Sequence, residues 1–246
     1  MHDFDPVLAR CDVAGHWAGM RRALALLLIC ALAGPALAKK PRPTKRPADP
    51  RAQEVFDRTK AIEATYALYD WNWRRGNDGH VSLHWSAEFH RGSLHRMETP
   101  HLRAVADCSA RKGTLVEVPS GRTESHAWIA NAICGIRSDK IMYSLEYVGR
   151  RNSRFGPIDT IRVTELLNER FYGVNQAGII VAAEYFSTDS ALKGCVQTEP
   201  LAVEKELPAA DMFSVESLAR SFVPEKYQKG PEAPAGDLWS GSRRCV

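Results

Sequence analysis

The segment that most constrains this chain is residues 80–90. Val81, Leu83, Trp85, Ala87 and Phe89 are apolar, and His80, Ser82, His84, Ser86, Glu88 and His90 are polar. An unbroken alternation of this length predicts a single β-strand with one buried face. At ~3.4 Å per residue it would run about 37 Å, longer than most strands. Strands of that length belong to large, curved antiparallel sheets. The neighbouring segments fit that frame. Residues 67–75 are aromatic and strand-like and end at the turn Gly76-Asn77-Asp78-Gly79. Further strands are expected at 101–108, 115–118, 141–148, 158–164, 169–175 and 178–186, with a hairpin around Asn175-Gln176-Ala177-Gly178. Helices are expected in three places. Asp49-Pro50 opens one in which Ala52, Val55, Phe56, Thr59, Ile62 and Tyr66 recur at helical spacing. Residues 124–133 form a short second one before Gly135, and Asp211 caps a third over 212–222, stopped by Pro224. The expected fold is α+β: a long curved antiparallel sheet, half-barrel-like, with an N-terminal amphipathic helix and one or two further short helices, in one domain over 49–223.

The N-terminal region speaks to location. Met20-Arg21-Arg22, the apolar run 23–33, Gly34-Pro35 and Ala36-Leu37-Ala38 follow the order of a secretory signal peptide with an A-x-A cleavage site after Ala38. The apolar run is too short to span a bilayer, which needs ~20 residues. Residues 1–19 are acidic, carry His and Trp, and fit no signal n-region, so translation is expected to begin at Met20. Residues 39–48 are a basic, Pro-rich linker that would approach an anionic envelope surface. The expected location is periplasmic or secreted. Beyond the signal, Cys108, Cys134, Cys195 and Cys245 remain. An even count in an exported chain suggests two disulfides, for which three connectivities exist. Proximity in sequence favours Cys108–Cys134 and Cys195–Cys245, the latter tethering the polar tail 224–246. The spacings match no zinc pattern.

Candidate chemistry is sparse. There is no G-x-S-x-G, P-loop or G-x-G-x-x-G, so no enzyme and no cofactor is expected. A net charge of +4 leaves no nucleic-acid footprint. His84, His90, His95 and His101 would form a metal site with Glu88 only if neighbouring strands brought them together; otherwise they belong to a solvated polar face. Tyr69, Trp71 and Trp73 fall on one strand face, and with Trp85 and Phe89 they would line a ligand cavity or fill an ordinary core.

Two stretches carry a family resemblance. Arg96-Met97-Glu98-Thr99-Pro100 followed by Val105-Ala106-Asp107 resembles the R-x-E-x-P … V-A-D-G stretch of the lipoprotein-carrier family, the periplasmic chaperones that sort outer-membrane lipoproteins. Asn168-Glu169-Arg170-Phe171-Tyr172, with Asn175-Gln176-Ala177-Gly178-Ile179-Ile180, resembles that family's hairpin. Cys108 departs from the pattern by standing where the family has Gly, and a helix interrupts the strands after the fourth. The resemblance implies a half-barrel closed by helices around an apolar cavity for acyl chains. The expected function is therefore a non-enzymatic carrier or binding protein for a lipid or a lipidated protein. A structural or adhesive envelope protein with a filled core and a His-based metal binder stand as alternatives. A void against the sheet would separate the first from the second. The oligomeric state stays open.

Overall fold

Eleven strands form one open antiparallel sheet in the computed structural model, which describes residues 44–76, 78–134, 142–165, 168–187 and 194–231. The first meander comprises β1 (Tyr66–Arg75), β2 (Val81–Arg91), β3 (Leu94–Glu98), β4 (Leu102–Asp107), β5 (Lys112–Glu117) and β6 (Thr123–Ser125). The second comprises β7 (Met142–Ser153), β8 (Gly156–Glu165), β9 (Asn168–Asn175), β10 (Ile180–Ser187) and β11 (Cys195–Glu204). They join where β1 pairs with β11, giving the order β6-β5-β4-β3-β2-β1-β11-β10-β9-β8-β7. Pro200 lies within β11 at the register shift opposite Tyr69/Asp70, the kind of irregular position where a residue without an N–H is tolerated. The α+β reading and the long antiparallel sheet hold. The described residues belong to one compact unit.

Two helices cover one face of the sheet. Helix α1 (Pro50–Lys60) starts where Asp49 Oδ1 accepts from the backbone N–H of Arg51 and Ala52, at 2.8 and 3.2 Å. Its Ala52 and Val55 pack on Leu145, Ile161, Val163, Tyr172 and Val174. The helix ends at Lys60, so Ile62 and Tyr66 are not part of it. Their spacing of four is also an even number, and Tyr66 fits a strand's period of two as well as a helix's. Helix α2 (Ala127–Ile133) packs Ile129, Ala130 and Ile133 on Ala104, Ala106 and Leu115. Gly113 allows this approach, because a Cβ there would stand 2.6 Å from the Ala130 backbone nitrogen. The expected start of α2 at residue 124 is corrected: Thr123–Ser125 is an edge strand paired with β5.

The opposite face is covered by the C-terminal segment. The helix expected over 212–222 is reduced to a 3-10 turn, Glu216–Ala219. The buried Arg96 guanidinium takes the carbonyls of Met212, Ser217 and Arg220. Carbonyls facing a guanidinium are not aligned for an α-helical ladder. The expectation for residues 80–90 also changes in two respects, the first being that Leu83 on the odd face is exposed. The odd face is buried as predicted at Ala87 and Phe89, but Ser86 and His90 on the even face are buried too. The segments 1–19 and 20–38, the first half of the linker and the tail beyond 231 lie outside the described residues.

Candidate functional site: a cavity with one polar end

The face carrying α1 and α2 is not filled. Between the two helices and the sheet lies a cavity of about 600 Å³, within the ~300–1,000 Å³ typical of ligand pockets. Its apolar wall comes from Phe56 and Ile62 next to the end of α1, and from Ile161, Val163, Val181 and Ala183 on β8 and β10. Its polar end comes from even-numbered residues of β1 and β2, with one residue of β3: Tyr66, Asp70, Glu88, His90 and His95. Strand parity explains the grouping. Tyr66 pairs with His90 and His90 with His95 in register, so their side chains leave the sheet on the same side.

Glu88 organises this end. Its Oε1 accepts from Tyr66 Oη at 2.6 Å and lies 2.6 Å from His95 Nε2. Burial would raise the Glu88 carboxyl, but the charge and hydrogen bond of His95 outweigh it and hold the group well below the usual carboxylate range. Burial and the neighbouring Glu88 push the Tyr66 phenol up. His90 Nδ1 lies 2.9 Å from the Ala64 carbonyl, a pure acceptor, so Nδ1 carries a proton. Burial, then the charge of His95, lowers the His90 imidazolium. Tyr66 stacks on His90 at 5.2 Å, and His90 meets His95 edge-on at 4.9 Å. Asp70 is different. It is 7% exposed and lines the cavity, and its carboxyl makes no hydrogen bond among the described residues. Burial and then Glu88 push its carboxyl well up.

The expected Cys108–Cys134 disulfide is formed, and it ties the end of β4 to the end of α2 at the cavity edge. His95 Nδ1 lies 3.8 Å from Cys108 Sγ. Cys195 is disulfide-bonded and buried at the start of β11; its expected partner Cys245 lies outside the described residues.

The aromatic residues expected to line a cavity stand elsewhere. Tyr69, Trp71, Trp73, Trp85 and Phe89 are odd-numbered and none of them lines it. Tyr69 stacks on Tyr227 at 4.3 Å and meets Phe89 edge-on. Gly230 presses on the Trp71 indole so closely that a Cβ would be 2.3 Å away. That placement corrects the expected lining: the apolar face of β1 and β2 is the one the C-terminal segment covers. The four candidate metal ligands also divide. His90 and His95 meet at the polar end, whereas His84 is six residues up β2, roughly 20 Å away. His101 stands near His84, whose imidazolium is lowered by burial, then Arg74, then His101. Among the described residues, His95, Cys108 and Cys134 are grouped closely enough to hold an ion, but both sulfurs are in the disulfide. The residues that sequence reasoning missed are Tyr66 and Asp70. An Asp centred in the aromatic run Tyr66–Arg75 was the available signal, because a lone carboxylate in a central strand is rare without a purpose.

The sequence matches no family model and no curated protein. Several solved structures are similar in arrangement. A LolA superfamily protein from Nitrosomonas europaea shares 7% identity, with 68% of this chain and 99% of that one covered at a TM-score of 0.41. An uncharacterized conserved protein from Thermus thermophilus shares 11%, covering 72% and 97% at 0.46. A putative outer membrane lipoprotein-sorting protein domain from Vibrio parahaemolyticus shares 8%, covering 69% and 97% at 0.37. Function is therefore read from the cavity.

Proposed function

We propose that this protein is an exported, non-enzymatic carrier that holds the acyl chain of a lipid or lipidated protein in the cavity on the helix-covered face of its sheet. The observation that carries this reading is the unfilled volume of about 600 Å³ against a wall of Ile, Val and Ala. A filled-core structural protein would close that face as tightly as it closes the other. The polar end gives the cavity a direction, since an amphiphile would lay its chain along β8 and β10 and turn its headgroup toward β1 and β2.

Native mass spectrometry tests the reading on protein exported under its own N-terminal segment and purified without detergent. Adducts at acyl-chain or phospholipid masses are the expected result. A bare chain mass would sink a stably loaded carrier and leave the structural reading in front. A discrete zinc- or copper-sized adduct would move the function to His90, His95 and their neighbours.

A further inference from the structure

We infer that the cavity selects amphiphiles whose headgroup is a protonated amine, and that Asp70 is the residue that receives it. This rests on the cavity being the binding site.

The inference follows from matching each ionisable group in the cavity to what it already touches. Glu88 is satisfied by Tyr66 and His95. Glu165 has Arg170 at 3.3 Å. His90 is bound to the Ala64 carbonyl. Lys60 lines the cavity but has Asp57 at 3.4 Å, and its side chain is more than half exposed to solvent. What remains is the Tyr172 phenol, a neutral group whose Oη has no hydrogen-bond partner among the described residues, and Asp70, whose buried carboxyl makes no hydrogen bond among them, in the central strand of the sheet.

A buried carboxyl in that condition is costly unless something supplies donors or a positive charge. An ammonium supplies both, with three N–H donors and a unit charge. A carboxylate or phosphate headgroup would meet the Glu88 carboxylate, and Asp70 offers it no positive charge. A neutral alcohol offers a single donor and no charge. The ordering is thus ammonium over alcohol over carboxylate, on one chain length and in one cavity.

Titration calorimetry of the purified protein with dodecylammonium, dodecanol and dodecanoate, each below its micelle concentration at neutral pH, reads this ordering directly. The expected result is dodecylammonium binding about tenfold tighter than dodecanol, the range of one hydrogen bond to a charged group, with dodecanoate weakest. Asp70→Asn should remove the tenfold preference while leaving dodecanol within about twofold, because the amide is close to isosteric and carries no charge. A melting curve checks that the variant folds, and the three-probe ranking of the unaltered protein needs no variant at all. Equal binding of ammonium and alcohol, or tightest binding of dodecanoate, would overturn the role of Asp70 and leave the carrier reading standing. Absence of binding by all three would overturn both. The amine's source is read from the native adduct: an aminolipid is removed by organic extraction, whereas a lipidated peptide gives fragments spaced by amino-acid masses.

Discussion

The two faces of the central strand pair β1–β2 end differently. On the odd face, Ala67, Tyr69, Ala87 and Phe89 are sealed under Met212 and Val223, with Tyr227 stacked on top. On the even face, Tyr66, Asp70, Glu88 and His90 look into open volume. Apolar character alone does not produce that contrast, because the other half of the open face is lined by Ile and Val. The covered face is distinguished by an anchor. Arg96 and Glu98 are both 0% exposed and form an ion pair at 2.7 Å. Arg96 Nη1 donates to the Met212 carbonyl and to Ser217 Oγ, at 2.7 and 2.8 Å, and Nη2 donates to the Arg220 carbonyl at 2.9 Å. Glu98 accepts from Ser221 Oγ and the Phe222 N–H, and Arg103 reaches the Leu218 carbonyl. One charged pair fixes the path of a segment with little regular structure of its own. On the open face the clamps sit at the ends: Arg58 of α1 reaches the buried Asp159 at 2.7 Å and the Cys108–Cys134 disulfide holds α2, so the two helices stand at the ends of the cavity and leave the middle unfilled. A face closes where the chain supplies both a covering segment and groups to hold it.

The largest expected effect tests that anchor. Arg96→Met leaves Glu98 buried without its cation and releases three carbonyls. Breaking a buried pair in this way costs about 3–5 kcal/mol, or roughly 10 °C in Tm for a domain of this size. Arg96→Met with Glu98→Leu should recover a substantial part, because replacing both partners removes the uncompensated charge. Thermal melts of the two variants measure this, and amphiphile binding by the double variant should persist, since neither residue lines the cavity. Equal loss in the single and double variants would show that packing, not charge, holds the segment.

A second effect separates the carboxyls of the two faces by pH. Glu184 pairs in register with Gln197, and Gln197 with Trp73, so it lies on the covered face. It is 2% exposed. Burial raises its carboxyl to about 7, with Arg151 opposing. The folded state therefore holds this proton more tightly than the unfolded chain does. The stability it contributes is present below the ordinary value of about 4.5, and is lost as pH rises from there to about 7. Glu184→Gln should leave stability near pH 4 unchanged and raise it at pH 8, by up to roughly 3 kcal/mol. Urea melts at the two pH values check it. Asp70 on the open face has the same sign of shift. Its destabilisation is one a bound ammonium would relieve, whereas Glu184 does not line the cavity through which a ligand could do the same.

How much of this was legible in the sequence depends on what period-two alternation can say. It placed β2 within a residue at either end and separated its two faces. The turn residues around Gly178 located the β9–β10 hairpin, and the Asp49-Pro50 pair located the start of α1. It could not say which face would stay open, because closure depends on Arg96 meeting carbonyls more than a hundred residues away. The expectation that aromatic side chains line a cavity then chose the covered face. The final helix failed for the same reason, its carbonyls being directed to Arg96 by tertiary contacts that no local propensity encodes. β11 was hidden by Pro200, which reads as a breaker until the register shift beside it is known. The polar end of the cavity was half visible: His90 and His95 were singled out, but as candidate metal ligands and not as neighbours of Glu88.

The smallest expected effect is the sharpest comparison of the two faces, because it applies the same substitution to each. Ala87 is buried beneath the C-terminal segment, and Ala183 lines the cavity. Ala87→Leu inserts three carbons into a packed region and should cost about 1–3 kcal/mol through displaced neighbours. Ala183→Leu inserts the same three carbons into open volume. It should leave stability unchanged or raise it by up to about 2 kcal/mol, the burial of added methylenes less the entropy of ordering them. It should also weaken dodecyl-chain binding, because the side chain then occupies space that the ligand needs. Chemical melts and calorimetry on the two variants give four readings. An equal loss of stability at both positions would mean that the helix-covered face is packed as tightly as the other, and the carrier reading would fall with it. A stable Ala183→Leu protein that no longer binds the chain would place the ligand against β10.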